Sequence, residues 1–135
     1  MPEPFAPGNA EVAELAASEV VCVPRDASVL DVSKALVESS VGAVVLGDLS
    51  RVVGIVSERD VVRAISEELD PGTTPAASIA SKDTVQCDGS ATVSEVAMEM
   101  MDHYVRHVLV TDADRFVGII SARDLLGAFI SEDWL

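Results

Sequence analysis

The octapeptides VGIVSERD at residues 53–60 and VGIISARD at residues 117–124 are two versions of one motif, and they decide the fold of this 135-residue chain. They lie 64 residues apart, and the same offset aligns the two halves of the chain without a gap. Further identities at this offset are Ala27 with Ala91, Val29 with Val93, Val32 with Val96, Val41 with Val105, Val44 with Val108, Asp48 with Asp112 and Arg51 with Arg115. Because such a fixed period marks a duplicated structural unit, we predict two copies of one fold.

Each copy is predicted to run strand, helix, strand, strand, helix. In the first copy, residues 20–23 form a β-branched run, and Ser28 with Asp31 makes a capping box that opens a helix. Residues 43–46 and 52–56 read as a hairpin, after which Ser57 caps a second helix. The second copy repeats this order from Thr84. The side chains predicted to face inward are Val29, Val32, Leu36 and Val37 on the first helix and Val61, Val62, Ile65 and Leu69 on the second.

These elements predict an α/β class of the α+β type, with a mixed sheet in each of two β-α-β-β-α repeats. A unit of about 60 residues is marginal alone, so we expect the repeats to pack sheet to sheet with pseudo-two-fold symmetry. Residues 1–9 are predicted to be a flexible tail, 10–69 the first domain, 70–75 a linker of helix breakers and 76–135 the second domain. Short helical stretches at residues 11–17 and 76–80 precede the first strand of each repeat.

The composition restricts the partners of the chain. Twenty-three acidic residues against nine Lys and Arg give a net charge of −14, which disfavours nucleic acid because phosphate binding needs a basic surface. No apolar run reaches the ~18 residues of a membrane span, and residues 1–4 do not resemble a signal peptide, so we expect a cytoplasmic protein without membrane contact. The charge fits either a salt-adapted, halophilic protein or an ordinary acidic one.

The end of each octapeptide has two interpretations. Ser57 and Asp60, like Ser121 and Asp124, have the spacing of a helix cap, and Ser28 with Asp31 shows the same spacing without any suspected function. Capping does not require the glycine at 54 and 118 or the arginine at 59 and 123. A glycine in a strand lets another backbone or a ligand approach closely, and a helix N-terminus with a hydroxyl, a carboxylate and a guanidinium suits a polyhydroxylated anionic ligand. Both interpretations remain open at this point.

Two such repeats, each ending Gly-Ile-[Val/Ile]-Ser-x-Arg-Asp, resemble the tandem pair of cystathionine-β-synthase (CBS) domains known as the Bateman module. The likeness runs from about Val12 to Ile130, and Arg106-His107 resembles the Arg-His of that family's second strand. The first copy has Gly42-Ala43 at the equivalent place, and both copies lack the family's proline, with Val45 and Leu109 instead.

The resemblance implies a regulatory module that binds an adenine nucleotide or nucleoside, AMP, ADP, ATP or S-adenosylmethionine, in clefts between paired domains. No other cofactor is required. The implied ligand-binding residues are Ser57, Arg59, Asp60, Ser121, Arg123 and Asp124 at the ribose and phosphate, Val20, Val21, Thr84 and Val85 at the adenine, and Arg106 and His107 at the phosphates. It further implies a homodimer and a signal passed to another protein. The unequal charge of the two copies predicts unequal sites.

The sequence also allows other interpretations of these residues. A structural or dimerisation module with empty clefts would keep the Ser and Asp residues only as caps. An enzyme is disfavoured because the sequence shows no nucleophile with a base and no paired catalytic acids. His103 and His107 lie at a spacing that suits zinc, but the chain turns from helix to strand between them, so no metal site is predicted. Cys22 and Cys87 are interpreted as buried thiols.

Overall fold

The computed structural model of the chain describes residues 7–15, 20–81 and 85–129. Within these ranges it contains two three-stranded sheets and four α-helices, which confirms the predicted α+β class and the repeated order of elements. The elements are β1 Cys22–Val23, α1 Val29–Ser39, β2 Ala43–Asp48, β3 Arg51–Ser57, α2 Glu58–Ser66, β4 Gln86–Asp88, α3 Val93–His103, β5 His107–Asp112, β6 Arg115–Ser121 and α4 Ala122–Phe129, with 3-10 turns at Pro7–Asn9, Val12–Glu14 and Ala76–Ser78. None of the described helices is long and apolar enough to cross a membrane.

The chain divides into two compact units, one of Glu19–Thr84 and one of Met1–Ser18 with Val85–Leu135. This division differs from the predicted ranges 10–69 and 76–135 in the placement of the segment that opens each repeat. Val12 is fully buried in the core around α3, where its amide donates to the Ala91 carbonyl at 2.9 Å. Ala76 is fully buried in the core around α1, where its amide donates to the Ala27 carbonyl at 2.9 Å. The boundaries of the sequence repeat therefore differ from those of the compact units, because the opening segment of each repeat packs in the unit that holds the strands of the other repeat.

The segments predicted as short helices before each repeat are 3-10 turns in the described residues. Val12–Glu14 and Ala76–Ser78 each form one turn, and residues 16–17 of the first predicted stretch lie outside the described ranges. Of the predicted tail 1–9, Pro7–Asn9 forms a further turn, and residues 1–6 also lie outside them.

The first helix of each repeat follows its sequence pattern closely at the N-terminus. Ser28 caps α1 through a reciprocal bond with Asp31, as predicted, and Thr92 accepts a hydrogen bond from the Glu95 amide at the start of α3. Val29, Val32 and Leu36 are buried against the sheet. The prediction that Val37 also faces inward is wrong, because its side chain is 78% exposed. Leu36 occupies the inward position at that turn, and the next residue is rotated about 100° away from it.

The inner face predicted for α2 is also wrong in part. Val62 and Ile65 are 66% and 51% exposed, and Leu69 lies beyond the end of the helix at Ser66. The small residue Ala64 is buried instead, and Val61 packs beside the core. Apolar residues occur on more than one side of this helix, so periodicity alone did not identify which side meets the sheet.

Gly54 permits the close approach of another backbone segment. Ile55 and Ser81 exchange two backbone hydrogen bonds, of 3.1 Å from the Ile55 amide and 2.9 Å from the Ser81 amide. A Cβ atom on Gly54 would lie 2.7 Å from the Ser81 carbonyl oxygen and 3.1 Å from the Ala80 Cβ. The sequence left two explanations for this glycine open, the approach of another backbone and the approach of a ligand. At Gly54 the neighbouring backbone is the explanation.

The two cysteines differ in exposure. Cys22 at the start of β1 is exposed, so its interpretation as a buried thiol is wrong, while Cys87 in β4 is half-buried. Burial, with a smaller contribution from the Asp88 and Glu99 carboxylates, raises the pKa of the Cys87 thiol to about 11. Partial burial and the Asp48 carboxylate also raise the pKa of Cys22. Because the thiolate is the reactive form, both groups are poor nucleophiles at neutral pH.

Gly54→Ala is expected to destabilise the protein by about 1–3 kcal/mol, because the added methyl must displace a backbone carbonyl. Urea unfolding monitored by circular dichroism measures this change. Gly127→Ala is the matched control, since nothing lies within 4 Å of the position that its Cβ would take in α4. There the same substitution should stabilise by roughly 0.5–1 kcal/mol through helix propensity. Equal effects at the two positions would contradict the close approach at Gly54.

Cys87 is expected to react with iodoacetamide at pH 7.5 on the order of a hundred-fold more slowly than an unhindered thiol, since almost none of it is ionised. Its rate should climb with pH up to about 11, the pKa of its thiol. Cys22→Ser and Cys87→Ser separate the two reactions by mass spectrometry, and Cys22 should be labelled first. Faster labelling of Cys87 at neutral pH would contradict its burial.

Candidate functional site

In the unit Glu19–Thr84, the backbone brings the predicted site residues to one end of a sheet. Ser57, the last residue of β3, pairs with Ala43, the first residue of β2. Strand β1 runs parallel to β2, and the Val21 carbonyl accepts a bond of 2.9 Å from the Val45 amide. The start of β1, the start of β2 and the N-terminus of α2 therefore lie together. We call this end of the sheet corner 1, formed by Val20, Val21, Ser57, Arg59 and Asp60.

The other unit has the same arrangement. Ser121 ends β6 and pairs with His107 at the start of β5, and the Val85 carbonyl accepts a bond of 3.0 Å from the Leu109 amide. The Ala122 amide, the first of α4, donates to the Arg106 carbonyl at 2.8 Å. We call this end corner 2, formed by Val85, Arg106, His107, Ser121, Arg123 and Asp124. Thr84, the remaining residue of the predicted site, lies outside the described residues.

The Ser and Asp residues of both corners are genuine helix caps. The Ser57 amide donates to Asp60 Oδ2 at 2.8 Å, and the Asp60 amide donates to Ser57 Oγ at 3.3 Å. The equivalent bonds from Ser121 to Asp124 and back measure 2.8 and 3.0 Å. The Ser28–Asp31 box of α1, where no ligand is predicted, has the same geometry at 3.0 and 3.1 Å. Capping therefore explains the spacing of the motif, and it gives a matched position for testing any further role.

Capping leaves acceptor capacity on these carboxylates. A carboxylate has about four acceptor sites, and the amide of each cap serine donates only to the Oδ2 atom of its aspartate. The two corners differ here, because Asp60 Oδ2 also accepts from the Ser57 hydroxyl at 3.0 Å and its Oδ1 lies 4.0 Å from Arg63 Nη1. Ser57, Asp60, Ser121 and Asp124 are half-buried, whereas Arg59 and Arg123 are exposed.

The corners share a backbone but differ in side chains. At corner 1 the Glu58 amide donates to the Gly42 carbonyl at 2.9 Å, which is the counterpart of the bond from Ala122 to Arg106. Corner 2 therefore has an arginine where corner 1 has a glycine. Arg106 is exposed and His107 is half-buried. A cationic side chain beside a helix N-terminus makes corner 2 the better place for an anion.

A pocket of about 210 Å³ lies beside Asp60 in the unit Glu19–Thr84. Its lining residues are Asp60, Arg63, Ala64, Glu67, Ser78 and Ile79. Arg63 was not among the predicted site residues, although its spacing of three from Asp60 on a helix places the two side chains side by side. Ser78 and Ile79 had no such signal, because they reach this pocket only through the packing of residues 76–81 on the unit.

His103 makes contacts within its own helix. Its Nδ1 lies 3.0 Å from the Glu99 carbonyl oxygen and 3.4 Å from Glu99 Oε2. Across residues 7–15, 20–81 and 85–129, no cluster of three or more His, Cys, Asp or Glu side chains has the arrangement of a metal site.

Known proteins share this architecture. The CBS domain family profile matches residues 12–67 and 76–131. Hypoxic response protein 1 of Mycobacterium tuberculosis is 31% identical over 108 residues, which are 78% of this chain and 76% of that protein. A CBS domain protein from Pyrobaculum aerophilum, solved in complex with AMP, is 31% identical with a TM-score of 0.78, covering 90% of this chain and 100% of that one. An uncharacterized conserved protein from Pyrococcus horikoshii has a TM-score of 0.85 at 25% identity, covering 93% and 96% of the two chains.

The two matched segments together span most of the chain, and each ends just after one copy of the octapeptide motif. The chain therefore belongs to the CBS domain family and contains that domain twice.

Proposed function

We propose that this protein is a regulatory module that binds an adenine nucleotide or nucleoside at its sheet-end corners and passes the signal to a partner protein. The observation that carries the proposal is corner 2, where a half-buried Ser–Asp pair, a helix N-terminus, Arg106 and His107 meet at one end of a sheet. The AMP bound to the Pyrobaculum relative, which is 31% identical, supports the same ligand class.

The chemistry of the corner matches the parts of an adenosine ligand. The carboxylate of Asp124 has acceptor sites for the two ribose hydroxyls, as does that of Asp60 in corner 1. The Arg106 guanidinium and the positive end of the α4 helix dipole attract a phosphate. Strands β1 and β4 lie at the edges of their sheets, so Val20, Val21 and Val85 offer backbone groups and apolar surface to the adenine.

The corners suit binding better than catalysis. The Ser57 hydroxyl donates to Asp60, and the Ser121 hydroxyl accepts from the Asp124 amide, so each is used in a cap rather than activated as a nucleophile. A ligand would act by favouring one conformation or one arrangement of protomers over another. We further propose that the protein works as a cytoplasmic homodimer in a salt-adapted setting and needs no cofactor beyond its regulatory ligand. S-adenosylmethionine fits as a less anionic ligand than ATP.

A structural or dimerisation module with empty corners is the alternative function. The similar cap geometry at Ser28–Asp31 favours it, because that box caps α1 at a place where no ligand is predicted. The two functions differ in what a small molecule should do to stability.

Ligand binding is expected to raise the melting temperature of the protein. In a thermal-shift panel of AMP, ADP, ATP, S-adenosylmethionine and NAD, a true ligand at about 100 times its dissociation constant adds about 2.7 kcal/mol of stability. The panel should be run in low and in molar salt, because the net charge of −14 opposes an anionic ligand only where it is unscreened. No shift with any compound in either buffer would refute the sensor function and leave the structural one.

Asp124→Ala and Asp60→Ala are expected to reduce the ligand-induced shift, whereas Asp31→Ala should leave it intact. All three variants remove a capping carboxylate of the same geometry, so each lowers the unliganded stability by a comparable cap contribution of about 1 kcal/mol. Isothermal titration calorimetry compares affinities directly. An equal loss of affinity in all three would show that the corners are not the ligand site.

Arg106→Ala is expected to weaken AMP binding about ten-fold or more and to leave adenosine binding nearly unchanged, because only AMP carries the phosphate that the guanidinium contacts. Arg25→Ala is the control, since this exposed arginine lies in the turn before α1. The ratio of the two dissociation constants is the readout. A similar loss for AMP and adenosine would contradict a phosphate contact at Arg106.

A further inference from the structure

The pocket beside Asp60 contains charged groups that the proposed contacts to ribose and phosphate do not use. Its volume is about 210 Å³, and all of its lining residues belong to the unit Glu19–Thr84. Three of them are charged, namely Asp60, Arg63 and Glu67, and they follow α2 at spacings of three and four residues. Side chains at these spacings lie on the same side of a helix. The wall of the pocket therefore has an arginine between two carboxylates.

Arg63 is held loosely in this wall. Its Nη1 lies 4.0 Å from Asp60 Oδ1, and its side chain is 59% exposed. An exposed ion pair of this length contributes little to stability. A ligand that offers a carboxylate in the pocket would therefore lose little by drawing the guanidinium into a shorter, bidentate contact.

The rest of the wall is apolar or accepts hydrogen bonds. Ala64 is buried and Ile79 is half-buried, so both offer aliphatic surface. The Ser78 hydroxyl donates to the Pro75 carbonyl at 2.7 Å, which leaves its oxygen free to accept from a ligand. The pocket therefore suits a small group that has an aliphatic part and a hydrogen-bond donor.

The charges of the wall restrict the ligand further. A phosphate in the pocket would face the carboxylates of Asp60 and Glu67, and a simple cation would face the guanidinium of Arg63. Like charges at such short range oppose binding. A group with both a carboxylate and an ammonium ion meets an opposite charge at each end. This combination is the chemistry of an α-amino acid.

The second copy of the repeat lacks these charges. At the offset of 64 residues, Arg63 corresponds to Gly127 and Glu67 corresponds to Ser131. The position that a Cβ atom would take on Gly127 has no atom within 4 Å. Corner 2 instead has Arg106 at the start of its central strand, where corner 1 has a glycine. The two corners therefore place their cations on different sides of the capping carboxylate.

We propose that the pocket beside Asp60 binds a zwitterionic α-amino acid group, with the carboxylate of the group on Arg63 and its ammonium ion on Glu67. The group belongs either to a free amino acid or to an adenosine ligand whose ribose is held by Asp60. The second source rests on the proposed function and gives corner 1 a ligand preference that differs from the phosphate preference of corner 2.

Two adenosine thioethers test the attached group. S-adenosylhomocysteine and 5′-methylthioadenosine share the adenosine and the sulfur, and only the first carries an amino acid. In an Asp124→Ala chain, which leaves corner 1 as the ligand site, S-adenosylhomocysteine is expected to bind about ten-fold tighter in isothermal titration calorimetry. Arg63→Ala and Glu67→Gln should each remove most of this ratio and leave the affinity for 5′-methylthioadenosine nearly unchanged.

Lys34→Ala and Glu38→Gln are the matched controls. These residues are an exposed cation and an exposed acid at the same spacing of four, but they lie on α1 and do not line the pocket. They should leave the ratio of the two dissociation constants unchanged. An equal effect of the control and pocket substitutions would overturn the proposal, because it would show only a general influence of surface charge. Circular dichroism checks that each variant is folded.

Free methionine tests the other source of the group. Saturable binding of methionine that Arg63→Ala abolishes would support the proposal and assign the pocket to a free amino acid. Equal affinities for the two thioethers, together with no binding of methionine, would overturn the proposal and leave the proposed function standing. Methionine binding without any binding of the thioethers would instead count against an adenosine ligand at corner 1 alone. If none of the three compounds binds, both the pocket and an adenosine ligand at corner 1 are refuted.

Discussion

The reciprocal bond between a serine and an aspartate three residues later is the interaction on which each half of this molecule depends. A strand that ends where a helix begins leaves the first amides of that helix without intrahelical partners. Ser57 with Asp60 and Ser121 with Asp124 satisfy two of these amides at each junction. The next amide bonds the carbonyl of residue 42 or 106, which holds the helix against the start of the central strand. Cap and sheet end are thus one structural unit.

In the proposed function, the scaffold and the binding chemistry would use the same groups. A cap directs helix amides, a carboxylate and a hydroxyl toward one point, which is also what recognition of a sugar phosphate requires. Stability therefore explains the motif, and the proposed ligand site would use the same groups for a second role. What distinguishes corner 2 from corner 1 is the Arg106-His107 pair in place of Gly42-Ala43 on an unchanged backbone. The repeat contains the same cap and sheet end twice, and the different residues at positions 42–43 and 106–107 make the two corners unequal.

The sequence predicted those features that depend on local order along the chain. The repeat, the hairpins and the capping box of Ser28 with Asp31 follow from neighbouring residues, and these occur as predicted. Val37, Val62 and Ile65 were wrongly predicted to face inward, because the choice of which apolar residue faces the sheet depends on how a helix packs on it. Two further contacts could not be predicted from the sequence. They are the approach of Ser81 to Gly54 and the position of Ser78 and Ile79 beside Asp60. They arise because residues 76–81 belong to the compact unit Glu19–Thr84, whereas the strands that follow them in sequence belong to the other unit.

The net charge of −14 bears on the proposed anionic ligand through the range of its electrostatic interactions. Repulsion of an anionic ligand by the whole molecule is a long-range effect, and the Debye length of about 3 Å in 1 M salt removes it. In the proposed site, a phosphate beside Arg106 and the N-terminus of α4 would be screened less, because direct contacts are shorter than the range over which salt acts. Salt would therefore remove what opposes the association with an anionic ligand sooner than it removes what favours it, and an acidic surface with a few well-placed cations is consistent with binding in concentrated salt.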